Sequence, residues 1–379
     1  MGDILASIVG TDGLILGTIV PFLFVLTVVV FVHEMGHYLV GRWCGIGVKA
    51  FSIGFGPELF GFNDRHGTRW KLSAVPLGGY VKFTGDMNAT STPDPDEIES
   101  LSEDEKKIAF HTQPVWKRAL TVVAGPVFNF LLTIAVFAVL FGTYGKPVIQ
   151  PVVAEVVAGS AAEAAGFKPG DRFVSVDGSP VETFADVQRY VSGRTDDQLD
   201  FVMLRDGKEI TLTATPRLTE QKDALGNTIK VGVIGVATNQ EVGEGRVVHY
   251  GPLAAVGEAV AETGSIISRT GQFLKRFAFG REDKCQLGGP IKIAKMSGQA
   301  AQLGFLWLIN LVALLSVGIG FLNLLPIPPL DGGHLLFYAI EAVTRRPVPE
   351  RAMETVYRIG LLAVLMFMAF VVWNDLFGC

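Results

Sequence analysis

The sequence predicts a polytopic α-helical membrane protein with four transmembrane helices, a β-hairpin at the cytoplasmic face and one small α+β domain on the other side. Three observations predict it. First, of 379 residues 49% are hydrophobic and only 18% charged, and the apolar residues gather into long runs instead of spreading evenly. Second, four such runs, 14–32, 119–144, the charge-free 296–330 and 356–373, approach or exceed the ~20 residues a helix needs to cross ~30 Å of hydrocarbon. Third, 148–216 breaks the apolar pattern with short strands, glycine turns and a small-residue helix, the signature of a folded unit in water.

The first run is read as a membrane span and not as a cleaved leader, because no Lys or Arg precedes it and a polar motif, unlike a cleavage site, closes it. Basic residues near spans stay on the cytoplasmic side. Residues 1–41 and 359–379 contain none, whereas the first loop carries Arg42, Lys117 and Arg118 and the third carries Arg345, Arg346 and Arg351. Both termini and the long segment between the second and third spans are therefore expected outside. Cys44, Cys285 and Cys379 are too few and too scattered for a disulfide framework or a cysteine metal site. A net charge of -5, with no dense basic patch interleaved with aromatics, excludes nucleic acid as a partner.

After the first span, FSIGFGPELFGF and TRWKLSAVPLGGYVKF flank the turn-like Asn63-Asp64-Arg65-His66-Gly67 and predict a β-hairpin or small sheet. Residues 88–107, with Pro93, Pro95 and a run of acidic side chains, read as a flexible linker. Within 148–216, DFVMLRDGKEITLTATP predicts a hairpin turning at Asp206-Gly207. Apolar residues recur at helical spacing over 253–279, with Lys275 and Arg276 near the end, and predict an amphipathic helix against a lipid surface or a protein core.

His33-Glu34-Met35-Gly36-His37 carries the chemistry. Its two histidines stand at i and i+4 and project from one helix face toward a single metal ion. Tetrahedral zinc accepts that pair, and the glutamate between them can act on water at the metal. Ionisable groups at membrane depth are costly, and they mark function there. A third ligand is needed, and Asp331 in Asn323-Leu324-Leu325-Pro326-Ile327-Pro328-Pro329-Leu330-Asp331-Gly332-Gly333 is the other carboxylate at such a place. The first and third spans both run inward over a similar length, so His33 and Asp331 should meet near the cytoplasmic face. The prolines end the third helix before Asp331, and backbone freed at that depth requires a protein-lined or watery cavity. A metal transporter would need no glutamate beside the metal, and a membrane-anchored scaffold would need no complete ligand set.

Two resemblances extend this reading. GSAAEAAGFKPGDRFVSVDG resembles a PDZ domain of the circularly permuted bacterial form, which implies an extracytoplasmic PDZ-like module that takes a peptide or chain terminus as an added strand. HEMGH, GFG at 54–56, GGYVKF at 78–83, AGPVFNF at 124–130, LGGPI at 287–291 and NLLPIPPLDGG at 323–333 together resemble the site-2 protease family of intramembrane zinc metalloproteases, close to its RseP-like bacterial members but with one PDZ unit. The resemblance implies one Zn2+ held by His33, His37 and Asp331, with Glu34 as the catalytic acid/base. It implies that Gly54, Phe55, Gly56, Asn323, Pro326 and Pro328 position an unwound substrate. It implies single-span membrane-protein substrates already shortened outside, such as an anti-sigma factor or a remnant signal peptide, and a site in the bacterial inner membrane in contact with lipid. His334 is expected to support the site or the fold and not to bind the metal. The expected segments are a first transmembrane helix in 1–47, a membrane-associated β-rich loop in 48–87, an acidic linker and lead-in in 88–118, a second transmembrane helix in 119–147, the PDZ domain in 148–216, a strand and amphipathic helix in 217–304, the third transmembrane helix and a following helix in 305–345, and the fourth transmembrane helix in 346–379.

Overall fold

The computed structural model describes residues 14–86, 100–192, 194–222, 228–238, 245–279 and 287–378. Its contacts form two units, Met1–Val136 with Gly288–Cys379, and Phe137–Leu287. Among the described residues, four helical segments are long and apolar enough to cross a membrane: Ile15–Trp43, Val115–Thr143, Phe305–Asn323 and Ala352–Phe377.

The first unit opens with a π-helical turn, Leu14–Ile19, that runs into α1, Val20–Trp43. A run so rich in β-branched residues has little helical propensity in water, but in hydrocarbon a helix satisfies every backbone group within the segment. Gly45 ends it: with φ at 81° it takes the left-handed conformation, and its N–H reaches Arg42 O while that of Ile46 reaches Gly41 O. Strands β1, Val48–Asn63, and β2, Arg69–Phe83, then pair antiparallel along nearly their whole length. Their turn is tied to α1 through Asp64. Its Oδ2 accepts from Tyr38 Oη at 2.9 Å and Trp70 Nε1 at 3.1 Å, and its Oδ1 accepts from the N–H groups of His66 and Thr68. Tyr38, Phe51, Val81 and Phe83 close a core beneath the hairpin with Phe110 and Val122. Beyond it, Phe55, Leu59, Phe60, Phe62, Leu72 and Val75 are exposed.

The segment read as a linker does not stay one to its end. Residues 88–99 lie outside the described residues, but Glu103–Ile108 forms a short helix, α2, because Ser102 and Glu105 make a reciprocal capping box. Helix α3, Val115–Thr143, follows and carries Pro126 within it.

The second unit is an α+β fold. In chain order it comprises β3, Lys146–Val148; β4, Glu155–Val156; α4, Ala161–Ala165; β5, Arg172–Val176; β6, Ser179–Pro180; α5, Phe184–Ser192; β7, Leu199–Arg205; and β8, Lys208–Ala214. It continues with β9, Arg217–Lys222; β10, Thr228–Val233; β11, Val236–Ala237; β12, Arg246–Val248; and α6, Pro252–Ala278. An antiparallel sheet in the order β6-β5-β7-β8 buries Phe173, Val176, Leu199, Phe201 and Met203 against Phe184 and Val187 of α5. Asp206 and Gly207, both at positive φ, make the β7–β8 turn that the sequence signals. Pairing does not stop at Pro216: β11 pairs with β4, so residues after 216 complete the same fold, and β12 pairs with β3. Helix α6 is the amphipathic helix expected over 253–279. Lys146 places its ammonium 2.8 Å from Glu258 and 2.8 Å from Glu262 of α6. Burial alone would lower the Lys146 pKa, but the two carboxylates outweigh it and hold the group above its ordinary value.

The first unit resumes with α7, Pro290–Leu303, whose glycine N-cap has no side chain; Asp375 caps it from afar, accepting from Gly289 N and Lys292 N at 3.1 Å each. The charge-free run then divides at Gly304, φ 122°, and α8, Phe305–Asn323, packs Leu308, Leu311 and Val312 on Val25 and Val29 of α1. Prolines 326, 328 and 329 bar the helix from continuing. Helix α9, Asp331–Thr344, restarts it, and α10, Glu350–Trp373, follows.

The hairpin anchorage can be tested at Asp64. Burial would raise its carboxyl pKa, but hydrogen bonds from Trp70, Thr68, His66 and Tyr38 outweigh it and hold the group well below the usual carboxylate range. A depressed folded-state pKa contributes stability that is full above the unfolded value near 4 and is lost only as pH falls through the folded one. Amide exchange of 48–83 should therefore be unchanged between about pH 5 and 8 after correction for intrinsic rates. Asp64→Ala should weaken protection there by roughly 2 kcal/mol, the scale of losing several hydrogen bonds to one charged acceptor.

Candidate metal centre

Helical spacing puts His33 and His37 on one face of α1, with their Nε2 atoms 3.2 Å apart. The helix restart puts Asp331 against them: Oδ2 lies 3.1 Å from His33 Nε2 and Oδ1 lies 3.6 Å from His37 Nε2. All three ligand atoms fall within 4.8 Å of one another, and both histidines are buried. Asp331 Oδ2 is buried yet makes no hydrogen bond among the described residues, despite its approach to His33. Two imidazole nitrogens and an unsatisfied carboxylate oxygen turned toward one point are a donor set that a shared cation would satisfy, and they suit zinc.

The tautomer of His37 is fixed by a carbonyl. Its Nδ1 lies 2.9 Å from Thr121 O, which can only accept, so Nδ1 carries the proton and Nε2 offers a lone pair. Asp331 is fixed by close backbone packing. A Cβ at Gly332 would strike the carbonyls of Leu324 and Leu325, one at Gly333 would lie 2.7 Å from Pro328 N, and one at Gly360 of α10 would strike Pro328 O. Only glycines let the first turn of α9 and the face of α10 close on the proline loop. Further along α9, Arg118 binds Glu341 at 2.6 Å and lies over the Tyr338 ring at 5.0 Å.

Glu34 projects beside the ligand group and not into it. Its carboxylate accepts the N–H of Val81 from β2. The strand comes this close because position 79 is glycine: a Cβ there would lie 2.9 Å from Glu34 Cγ and 2.8 Å from Val30 Cγ1. Neighbouring Gly78 underlies the ring of Phe55, which stacks on Tyr80 at 6.0 Å. Gly54 and Gly56 flank Phe55 at φ 87° each.

Of the residues expected to position substrate, Asn323 reaches the centre, with Nδ2 3.4 Å from His33 Nε2. Pro328 supports the Asp331 turn, Pro326 lies in the same loop, and Gly54, Phe55 and Gly56 stand on the hairpin, one strand removed from Glu34. His334 is buried with Tyr357 Oη at 2.6 Å from Nδ1, and it is not part of the ligand group among the described residues.

The sequence reading misses one face of α3. Thr121, Gly125 and Asn129, at i, i+4 and i+8, all meet the histidines: Thr121 through its carbonyl, Asn129 with Nδ2 3.3 Å from His33 Nδ1, and Gly125 by direct contact of its backbone with both rings. The available signal is an amide and small residues, AGPVFN, within a membrane span. A Cβ at Gly125 would collide with His37 Nε2 and lie 2.8 Å from His33 Cε1. Gly125→Ala should therefore lower zinc affinity at least about tenfold while the helical content stays intact, as measured by chelator competition and circular dichroism.

Comparison with known proteins agrees with this chemistry. Peptidase family M50 matches residues 21–367. A Mesorhizobium japonicum protein is 74% identical over 365 residues, covering 96% of this chain and all of its own, and a Brucella suis protein is 63% identical over the full length of both; each is named as a zinc metalloprotease. Metalloprotease MmpA of Caulobacter vibrioides is 41% identical, over 94% of this chain and 95% of its own. The chain therefore belongs to peptidase family M50, the site-2 protease family, and is an integral membrane zinc metalloprotease.

Proposed function

We propose that this metalloprotease is an intramembrane endopeptidase that cuts in or beside the transmembrane segment of single-span proteins after another protease has shortened them outside. The observation that carries the reading is the meeting of His33 and His37, on the first apolar span, with Asp331, at the helix restart just after the third span breaks. His33, His37 and Asp331 would hold the metal through one nitrogen or oxygen each. When bound, zinc supplies Lewis acidity that acidifies a water and polarises a carbonyl. Glu34, steadied by Val81 N–H, takes the proton from the attacking water and delivers it to the departing amide nitrogen. Asn323, beside His33, donates its amide N–H toward the substrate carbonyl.

A transmembrane helix hides its carbonyls in hydrogen bonds, so the substrate must first be drawn out. The two-stranded hairpin leaves outer edges to which an extended chain can add, and its exposed apolar side chains suit a lipid or membrane-segment neighbour. Gly54, Phe55 and Gly56, with Pro326 and Pro328 across the site, position that chain. The second unit is a PDZ-like filter outside the bacterial inner membrane, taking a trimmed chain terminus or excluding bulk, and the zinc lies toward the cytoplasmic side. The basic loops and the sheet order with its Asp206-Gly207 hairpin support this arrangement.

Two experiments test it. Glu34→Gln should lower cleavage at least about 100-fold with zinc retained, whereas His33→Ala and Asp331→Ala should lose zinc as well. Cleavage near the wild-type rate in Glu34→Gln would remove it as the base. The second experiment uses the β3–β12 pair, where Val148 and Arg246 face each other. Replacing 149–245 with a two-residue turn should leave an active enzyme that cuts full-length and pre-trimmed substrate alike in membranes. An enzyme that keeps zinc but cuts neither, or cuts only the trimmed form, defeats the filter.

A further inference from the structure

A histidine that binds a metal through one ring nitrogen carries its proton on the other, and whatever faces that second nitrogen selects the tautomer. For His37 the selector is a carbonyl. For His33 it is a side chain: Asn129 lies with Nδ2 3.3 Å from Nδ1. An amide can present either end. With Nδ2 toward the ring it donates, so Nδ1 must be the lone pair and the proton sits on Nε2, the atom aimed at His37 and Asp331. That sense disables His33 as a ligand. Turned through 180°, Oδ1 accepts from Nδ1–H and Nε2 becomes a lone pair.

Nothing else about Asn129 is free to change. It is fully buried, its carbonyl accepts from Ser316 Oγ at 2.9 Å and Thr133 Oγ1 at 3.1 Å, and a Cβ at Gly320 of α8 would sit 3.1 Å from its own Cβ. Two helices fix its backbone and leave only the amide to turn. We propose that Asn129 is a positioning residue for His33, its Oδ1 accepting from Nδ1–H so that Nε2 is held ready for zinc. This rests on the reading of His33 as a ligand.

The test uses the full-length enzyme in detergent, measuring zinc affinity by chelator competition and the visible spectrum of the cobalt-substituted form. Asn129→Leu, close in size with no acceptor, should bind zinc about 10- to 100-fold more weakly and alter the cobalt spectrum. Asn129→Asp, which offers an acceptor oxygen at either end, should bind zinc within about threefold of wild type and keep the spectrum. A packing role alone would not sort the variants by acceptor. Wild-type zinc affinity in Asn129→Leu overturns the assignment, and so does equal loss in both variants. If Asn129→Leu does not fold, Asn129→Asp decides alone: retained affinity supports the role and weakened affinity overturns it. His33→Ala in the same assay separates the two levels. If it binds zinc like wild type, His33 is no ligand and the underlying reading fails; if it loses zinc while Asn129→Leu does not, only the Asn129 assignment falls.

Discussion

The structure depends on the contact between α1 and α3. Gly36 of α1 faces Ala124 O, and Gly125 of α3 faces both imidazoles, so the two backbones meet where most membrane helices would be held apart by side chains. Small residues at a helix crossing allow close packing in lipid, where no hydrophobic driving force assembles helices. Here the closeness has a chemical product: a main-chain carbonyl, one turn from the crossing, comes within 2.9 Å of a histidine ring. Wider packing would strip His37 of its partner and let the ring rotate.

The same economy governs Asp331 and Glu34. One carboxylate is delivered by a helix that has to stop and restart, the other is held by the edge of a strand, and both arrangements depend on glycines at fixed places, 332 and 333 in one case and 79 in the other. Acidic groups in an apolar setting are expensive unless something satisfies them. The hairpin gives Glu34 a backbone donor and the proline loop packs tightly behind Asp331, neither adding further charge.

The outline was legible in the sequence because its strongest signals are periodic. Apolar runs long enough to span hydrocarbon mark the helices, i, i+4 spacing puts two histidines on one face, and Asp206-Gly207 marks a hairpin. The meeting of Asp331 with the histidines was expected from the comparable lengths of the first and third apolar runs, and the three ligand atoms lie within 4.8 Å of one another. What escaped was long-range and bland. Thr121 acts through its carbonyl, an atom every residue has, and Gly125 through the absence of a side chain. Asp375 caps a helix 83 residues away from Lys292, which no local capping pattern announces. The end of the acidic stretch formed α2 because a Ser102–Glu105 pair was hidden among charges that read as solvated chain.

The pairing of β3 with β12 bears on how such a chain can diversify. The segment 149–245 of the second unit leaves and re-enters on two strands that lie side by side, with Val148 opposite Arg246. Chain inserted between neighbouring strands disturbs little beyond their junction. Heritable change can therefore lengthen, duplicate or swap everything between these strands while the junction with the rest of the gene product stays constant. The region between the strands and the helices that hold the histidines and Asp331 can therefore change at separate rates in this chain.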